Sequence, residues 1–265
     1  MHEKDILCAT DLTPVSDEAL RAANAMATRF STKVTLLHAL DRKEQSPEAR
    51  KQVVSRMNEQ IAHAGATARI TPSLQDGDFM KVIAHESAAG HAILVLGTHG
   101  PRGLRQNLFG ADILKLVRHA ATPCLVVQEG FNLERLLQRI ILPVAAHADI
   151  DTLVDMVVAL AKGFAADVHV FQLIRPGEEP SPELLANKAK MLARLQAENI
   201  RHEEVNEPST TFSVGFADAT IRYAERVGAG AIAIMSHASD EFRYIADAEK
   251  ERLLANEPRI PILCA

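Results

Sequence analysis

The stretch Leu94 to Gly110, LVLGTHGPRGLRQNLFG, decides the fold. Ile93 to Leu96 form a short apolar run, the pattern of a buried parallel strand. Gly97 and Gly100 follow at once, where the chain is expected to leave the sheet, and Gly110 precedes an apolar-periodic segment. A strand, a glycine-rich turn and a helix in that order make a place for phosphate. Glycine lets backbone N–H groups approach a ligand closely, and a helix start presents unpaired N–H groups at the positive end of its dipole. The spacing is Gly97, two residues, Gly100, nine residues, Gly110.

On either side, strand-like runs alternate with helical periodicity, the signature of a parallel α/β sheet. Ile6 to Ala9 is the first strand. Ser16, backed by Asp17 and Glu18, reads as an N-cap, with Ala19, Ala23, Met26 and Phe30 on one helical face. Val34 to Leu40 is the second strand. Ser46-Pro47-Glu48 opens a second helix with Val54, Met57 and Ile61 inward, and Gly65 stops it. A third strand is expected near Ala68 to Pro72, a third helix over Phe79 to Ala89 and a fourth strand over Ala92 to Leu96. The helix after Gly110 ends before Thr122-Pro123, and Cys124 to Val127 is the fifth strand.

The remainder repeats this order. Ile6-Leu7 recurs as Ile141-Leu142, Val34 to Leu37 as Val168 to Phe171, and the interval from His99 to Pro123 as that from His237 to Pro261. One duplication accounts for all three. The expected domains are 1–129 and 137–265, with the hinge in Glu129 to Leu136. Short apolar terminal strands at Cys124 to Val127 and Ile262 to Cys264 leave open edges, so the units are expected to pair through them as a pseudo-dimer, with a homodimer also allowed. Two independently tumbling bodies in solution scattering would contradict that pairing.

A net charge of −5, with 47% hydrophobic and 24% charged residues, provides no global basic field for nucleic acid, and no polybasic patch for a membrane. No apolar run reaches the ~18 residues of a spanning helix, and the N-terminus lacks an export signal, so a cytoplasmic location is expected. Cys8, Cys124 and Cys264 lie in or beside apolar runs and form no disulfide pattern. The histidines lack metal-site spacing, so no metal ligands are assigned. His85 with His91, and His202 with Glu203 and Glu204, read as structural or surface groups.

In an open α/β sheet, ligands bind beyond the strand carboxyl ends where strand order reverses. If the first and fourth strands are neighbours, Asp11 and the glycine stretch line one crevice. Asp11 equally fits an ordinary helix cap. The residues ILCATDLTPVSDEAL, VTLLHALD, Gly77, GTHGPRGLRQNLFG and TPCLVV together resemble the universal stress protein family across the first unit. The resemblance implies five parallel strands in the order 3-2-1-4-5. It also implies an adenine nucleotide (ATP, ADP or AMP, with or without Mg) near Ala9, Thr10, Asp11 and Ala39. Leu96, Gly97, His99, Gly100, Arg102, Gly110 and Ala111 would surround its ribose and phosphates.

The sequence departs from that pattern. Ala111 stands where the family has a hydroxyl, Asp112 follows in the first helical turn, and Pro101 replaces a cation, leaving Arg102 and Arg105. Losing one hydrogen bond to a charged group costs about 1.5–3 kcal/mol, roughly tenfold to a hundredfold in affinity. In the second unit Gly97, Gly100 and Gly110 become Met235, Ala238 and Ala248, Ala111 becomes Glu249, and Asp11 becomes Ala146. No triphosphate site is expected there. The leading expectation is a stress-response protein, not an enzyme, that binds an adenine nucleotide weakly in its first unit. A nucleotide-free docking scaffold for an unknown protein partner and a slow ATPase are the alternatives. No Walker lysine pattern supports the ATPase.

Overall fold

Four consecutive buried residues, Ile6 to Ala9, form the central strand β1 of the first unit. The computed structural model describes residues 4–98, 110–177, 179–209, 215–237 and 243–265. His99, Gly100, Pro101, Arg102 and Arg105 lie outside the described residues. The backbone divides into two units, Met1–Leu133 and Glu134–Ala265.

In the first unit β1 is followed by α1 (Pro14–Phe30), β2 (Lys33–Leu40), α2 (Pro47–His63), β3 (Arg69–Asp76), α3 (Phe79–Ser87), β4 (Ile93–Thr98), α4 (Gly110–His119) and β5 (Cys124–Gln128). Its strands run parallel in the order β3-β2-β1-β4-β5. The second unit repeats the plan with β6 (Arg139–Pro143), α5 (Asp151–Phe164), β7 (Asp167–Ile174), α6 (Pro182–Ala197), β8 (His202–Pro208), α7 (Phe216–Arg226), β9 (Ala231–Ile234), α8 (Arg243–Leu254) and β10 (Ile262–Cys264). Its order is β8-β7-β6-β9-β10, again parallel. The central strands are apolar from Ile6 to Ala9 and from Ile140 to Pro143, all of them buried, the pattern of a parallel strand inside an α/β sheet.

Several boundaries differ from the sequence reading. The first helix starts two residues earlier than the expected cap, with Thr13 at the N-cap and Pro14 in the first turn. Ser16 sits inside that turn and its Oγ accepts from Thr13 N at 3.1 Å, the reverse arm of a capping box. Strand β3 continues to Asp76 because it pairs with β2 along its whole length, although its half-buried sequence has no apolar run. On α2 the buried positions are Val53, Met57 and Gln60, while Val54 is exposed. The inward face is therefore rotated from the expected one, and a polar side chain occupies it.

Helix α5 ends at Ala165, whose backbone is left-handed (φ 53°, ψ 40°). An L-residue with a Cβ is strained there and glycine is not, so Ala165→Gly is expected to stabilise by about 0.5–1 kcal/mol. That corresponds to a rise of about 1–4 °C in Tm for a chain of this size, read by calorimetry. A second expectation concerns acid. Burial, then the nearby Lys250 charge, lowers the His147 pKa from 6.5 to about 4. The folded state thus favours neutral His147, and this contribution is complete above pH 6.5 and lost as pH falls from 6.5 towards 4. Melting curves across that window should fall less steeply for His147→Asn than for the parent chain.

Candidate functional site

Strands β1 and β4 are hydrogen-bonded neighbours, with Ile6 opposite Ile93 and Cys8 opposite Val95. From β1 the chain proceeds to β2 on one side, and from β4 to β5 on the other, so their carboxyl ends flank the switch point. A small, solvent-open depression lies there. Four expected residues, Ala9, Asp11, Leu96 and Gly97, line it, together with Val15, Ser16 and Phe79.

Gly97 corrects one expectation. The strand does not end at Leu96: Gly97 and Thr98 remain in the ladder, opposite Val127 and Gln128. The glycine is required by packing. A Cβ at Gly97 would lie 2.6 Å from both Cγ1 and the carbonyl oxygen of Val15. Helix α1 starts so close to β4 that its first turn becomes a wall of the depression.

Asp11 is exposed just beyond β1, and its Oδ1 accepts from Thr13 N at 3.1 Å and from Thr13 Oγ1 at 2.6 Å. This Asx turn leads into the α1 N-cap. Asp11 is thus not the helix cap expected of it, which is Thr13; one of its oxygens holds the turn that leads to the cap, and the residue lines the depression. Oδ2 makes no hydrogen bond among the described residues. Leu12 between them has a left-handed backbone, φ 61°, which reverses the chain sharply enough to keep Asp11 at the strand end.

Thr10 is buried behind this turn and Ala39 is half-buried on β2, opposite Gln75; neither lines the depression. Gly110 is the first residue of α4, and Asp112 is exposed in its first turn. Asp112 makes no hydrogen bond among the described residues, so none there satisfies the helix start in place of a ligand. His99, Gly100 and Arg102, like the side chain of Ala111, fall outside what is described.

The sequence reading missed a buried polar cluster beneath the turn. Gln60 Oε1 lies 2.9 Å from Thr10 Oγ1, and Gln60 Nε2 donates to Ser16 Oγ (3.2 Å) and Asp17 Oδ1 (2.6 Å). His38 Nδ1 donates to the Thr10 carbonyl at 2.9 Å, with Nε2 3.0 Å from Glu44. A glutamine in a helix gives no outward signal; only its place on the inward stripe of α2 could have revealed it. His91 and His202 have structural partners. The ring nitrogens of His91 face Asp5 and Glu86 at 3.1 and 3.3 Å, and His202 Nδ1 donates to the Ile200 carbonyl. No group of metal-ligating side chains occurs among the described residues.

In the second unit, charged side chains of α8 occupy the corresponding ground. Glu249 Oε2 accepts from Ala217 N at the start of α7, and a Cβ at Gly215 would lie 2.5 Å from Glu249 Oε1. Lys250, buried, donates to the Ser236 and His237 carbonyls just beyond β9. A carboxylate on a helix N-terminus satisfies its unpaired N–H groups and its dipole.

The model of the universal stress protein family matches residues 3–128. No curated protein matches the chain. Among solved structures, a universal stress protein from Archaeoglobus fulgidus is similar over 98% of this chain and 97% of its own, with TM-score 0.74 at 17% identity. A protein of unknown function from Pseudomonas aeruginosa PAO1 gives 0.60 at 17%, covering 98% and 92%. The cytoplasmic domain of a prokaryotic cation chloride cotransporter gives 0.53 at 12%, covering 98% and 94%. At these identities the structural likeness concerns the fold, which extends over both units. Residues 3–128, the first unit, match the universal stress protein family, and the second unit repeats the fold of the first.

Proposed function

We propose that the first unit binds an adenine nucleotide at the β1/β4 switch point, and that the protein acts as a cytoplasmic stress-response regulator through occupancy of that site. The observation that carries this reading is the depression at the strand ends, lined by Asp11, Leu96 and Gly97. Apolar walls from Ala9, Val15 and Phe79 suit a flat base, and the unshared oxygen of Asp11 can accept from a ribose hydroxyl or the adenine amino group. The phosphate end is weaker: Ala111 offers no hydroxyl, and Asp112 places a negative charge in the first turn of α4. A ligand that orders the glycine stretch can bias a protein partner only as far as it binds the two arrangements unequally.

A nucleotide-free scaffold is the second reading. It is favoured in the second unit, where Glu249 already holds the start of α7 and Ala146 stands in place of Asp11. A slow ATPase lacks a base beside the proposed phosphate end among the described residues. Phosphate release that depends on Asp11 would be required to support it.

Titration calorimetry with ATP, ADP and AMP, with and without Mg²⁺, should give one site per chain, with affinities within about tenfold of one another because the phosphate end contributes little. Ala111→Ser should tighten ATP by about tenfold by restoring the hydroxyl. Asp11→Asn keeps an acceptor for Thr13 but loses the carboxylate, and should weaken all three about tenfold. An absence of heat at millimolar ligand would leave the scaffold as the reading.

A further inference from the structure

Gln60 is only 6% exposed, on a helix whose remaining buried positions are Val53 and Met57. Burying an amide is unfavourable unless its polar atoms are hydrogen-bonded, and here both ends are. Gln60 Oε1 accepts from the Thr10 hydroxyl, and Nε2 donates to Ser16 and Asp17 in the first turn of α1. With its proton directed at Gln60, the Thr10 hydroxyl is left to accept from Leu12 N at 3.0 Å. One turn earlier on α2, Arg56 donates to the Leu12 carbonyl at 3.2 Å. Helix α2 thus holds both polar atoms of the Leu12 backbone, one directly and one through Thr10, at the residue whose positive φ turns the chain.

The duplication supplies an internal control. Helices α2 and α6 share a Ser-Pro start, Ser46-Pro47 and Ser181-Pro182. Counted from those prolines, Gln60 corresponds to Leu195, which is completely buried. In the register that aligns Asp11 with Ala146, Thr10 becomes Ala145. The unit without the Asp11 carboxylate therefore also lacks the hydroxyl and the amide, and an apolar side chain packs the same helix position. It fixes its own loop differently: Asn187 donates to the Ala145 and His147 carbonyls at 2.8 and 2.9 Å. Packing of the second helix does not need an amide at this position, so the amide in the first unit serves the turn above it.

We propose that Gln60, which does not line the depression, is a positioning residue: through Thr10 and Ser16 it sets the turn from Thr10 to Thr13 and so aims the Asp11 carboxylate at the nucleotide. This rests on the adenine-nucleotide reading given above. Its test is a double-mutant cycle on the full chain with AMP as the probe, reading dissociation constants by calorimetry alongside Tm. Gln60→Leu should weaken AMP about tenfold while lowering Tm by no more than about 4 °C. In the Asp11→Asn background the same substitution should cost less than about twofold, because the group it aims is gone. Gln60→Glu keeps the acceptor for Thr10 but places a carboxylate against Asp17. Its AMP affinity should be weak at neutral pH and recover on acidification, as protonation restores a donor.

Unchanged affinity in Gln60→Leu, with AMP bound by the parent, overturns the role of Gln60 alone. Equal losses in both backgrounds also overturn it, by showing that Gln60 acts independently of Asp11. Collapse of Tm in both Gln60 variants makes it a folding residue instead. No AMP binding by the parent removes the nucleotide reading and this inference together.

Discussion

The contact between Val15 and Gly97 is the constraint on which the first unit's site depends. Because a Cβ at Gly97 would lie 2.6 Å from the Val15 carbonyl oxygen, the start of α1 can settle against β4 only if that strand carries glycine. The approach places the turn after β1 beside the exit of β4, so Asp11, Ser16 and Gly97 come to line one depression. In the duplicated register Met235 takes the place of Gly97 and Ala146 that of Asp11. The second unit retains the strand order without this arrangement at its strand ends.

Much of the fold was legible because its signals are local. Apolar runs at Ile6 to Ala9 and Ile93 to Leu96, together with the Ser46-Pro47 cap and the repeat of both patterns after Arg139, mark strands, helices and duplication through side-chain hydrophobicity and backbone chemistry alone. The extent of β3 was not legible, since its residues are held by pairing with β2 and by little apolar burial. The place of Gly97 inside β4 was hidden for a different reason. Glycine is read as a turn residue, and only the proximity of α1 reveals that it serves packing. Ala9, Asp11, Leu96 and Gly97 line one depression at the strand ends. The contribution of Gln60 and Thr10 was missed because buried polar residues give no periodic signal; their partners are 50 or so positions away in the chain.

The two units show how one fold can change its electrostatics at the same place. In the first, the exposed carboxylates of Asp11 and Asp112 stand at the end of β1 and the start of α4, and the turn after β1 is held by Thr10, Gln60 and Arg56. In the second, Glu249 and Lys250 of α8 turn onto the α7 start and the residues beyond β9. Lys250 also contributes to keeping His147 neutral. The second unit thus satisfies polar groups at its strand and helix ends with its own charged side chains.

The most direct test of the central claim is a residue-resolved map of AMP binding by backbone amide NMR of the full chain. The account predicts saturable shifts concentrated on the amides of Ala9 to Leu12 and Leu96 to Thr98, with none at Val144 to His147 or Ile234 to His237. Shifts confined to the second unit, or none anywhere at millimolar AMP, would contradict it.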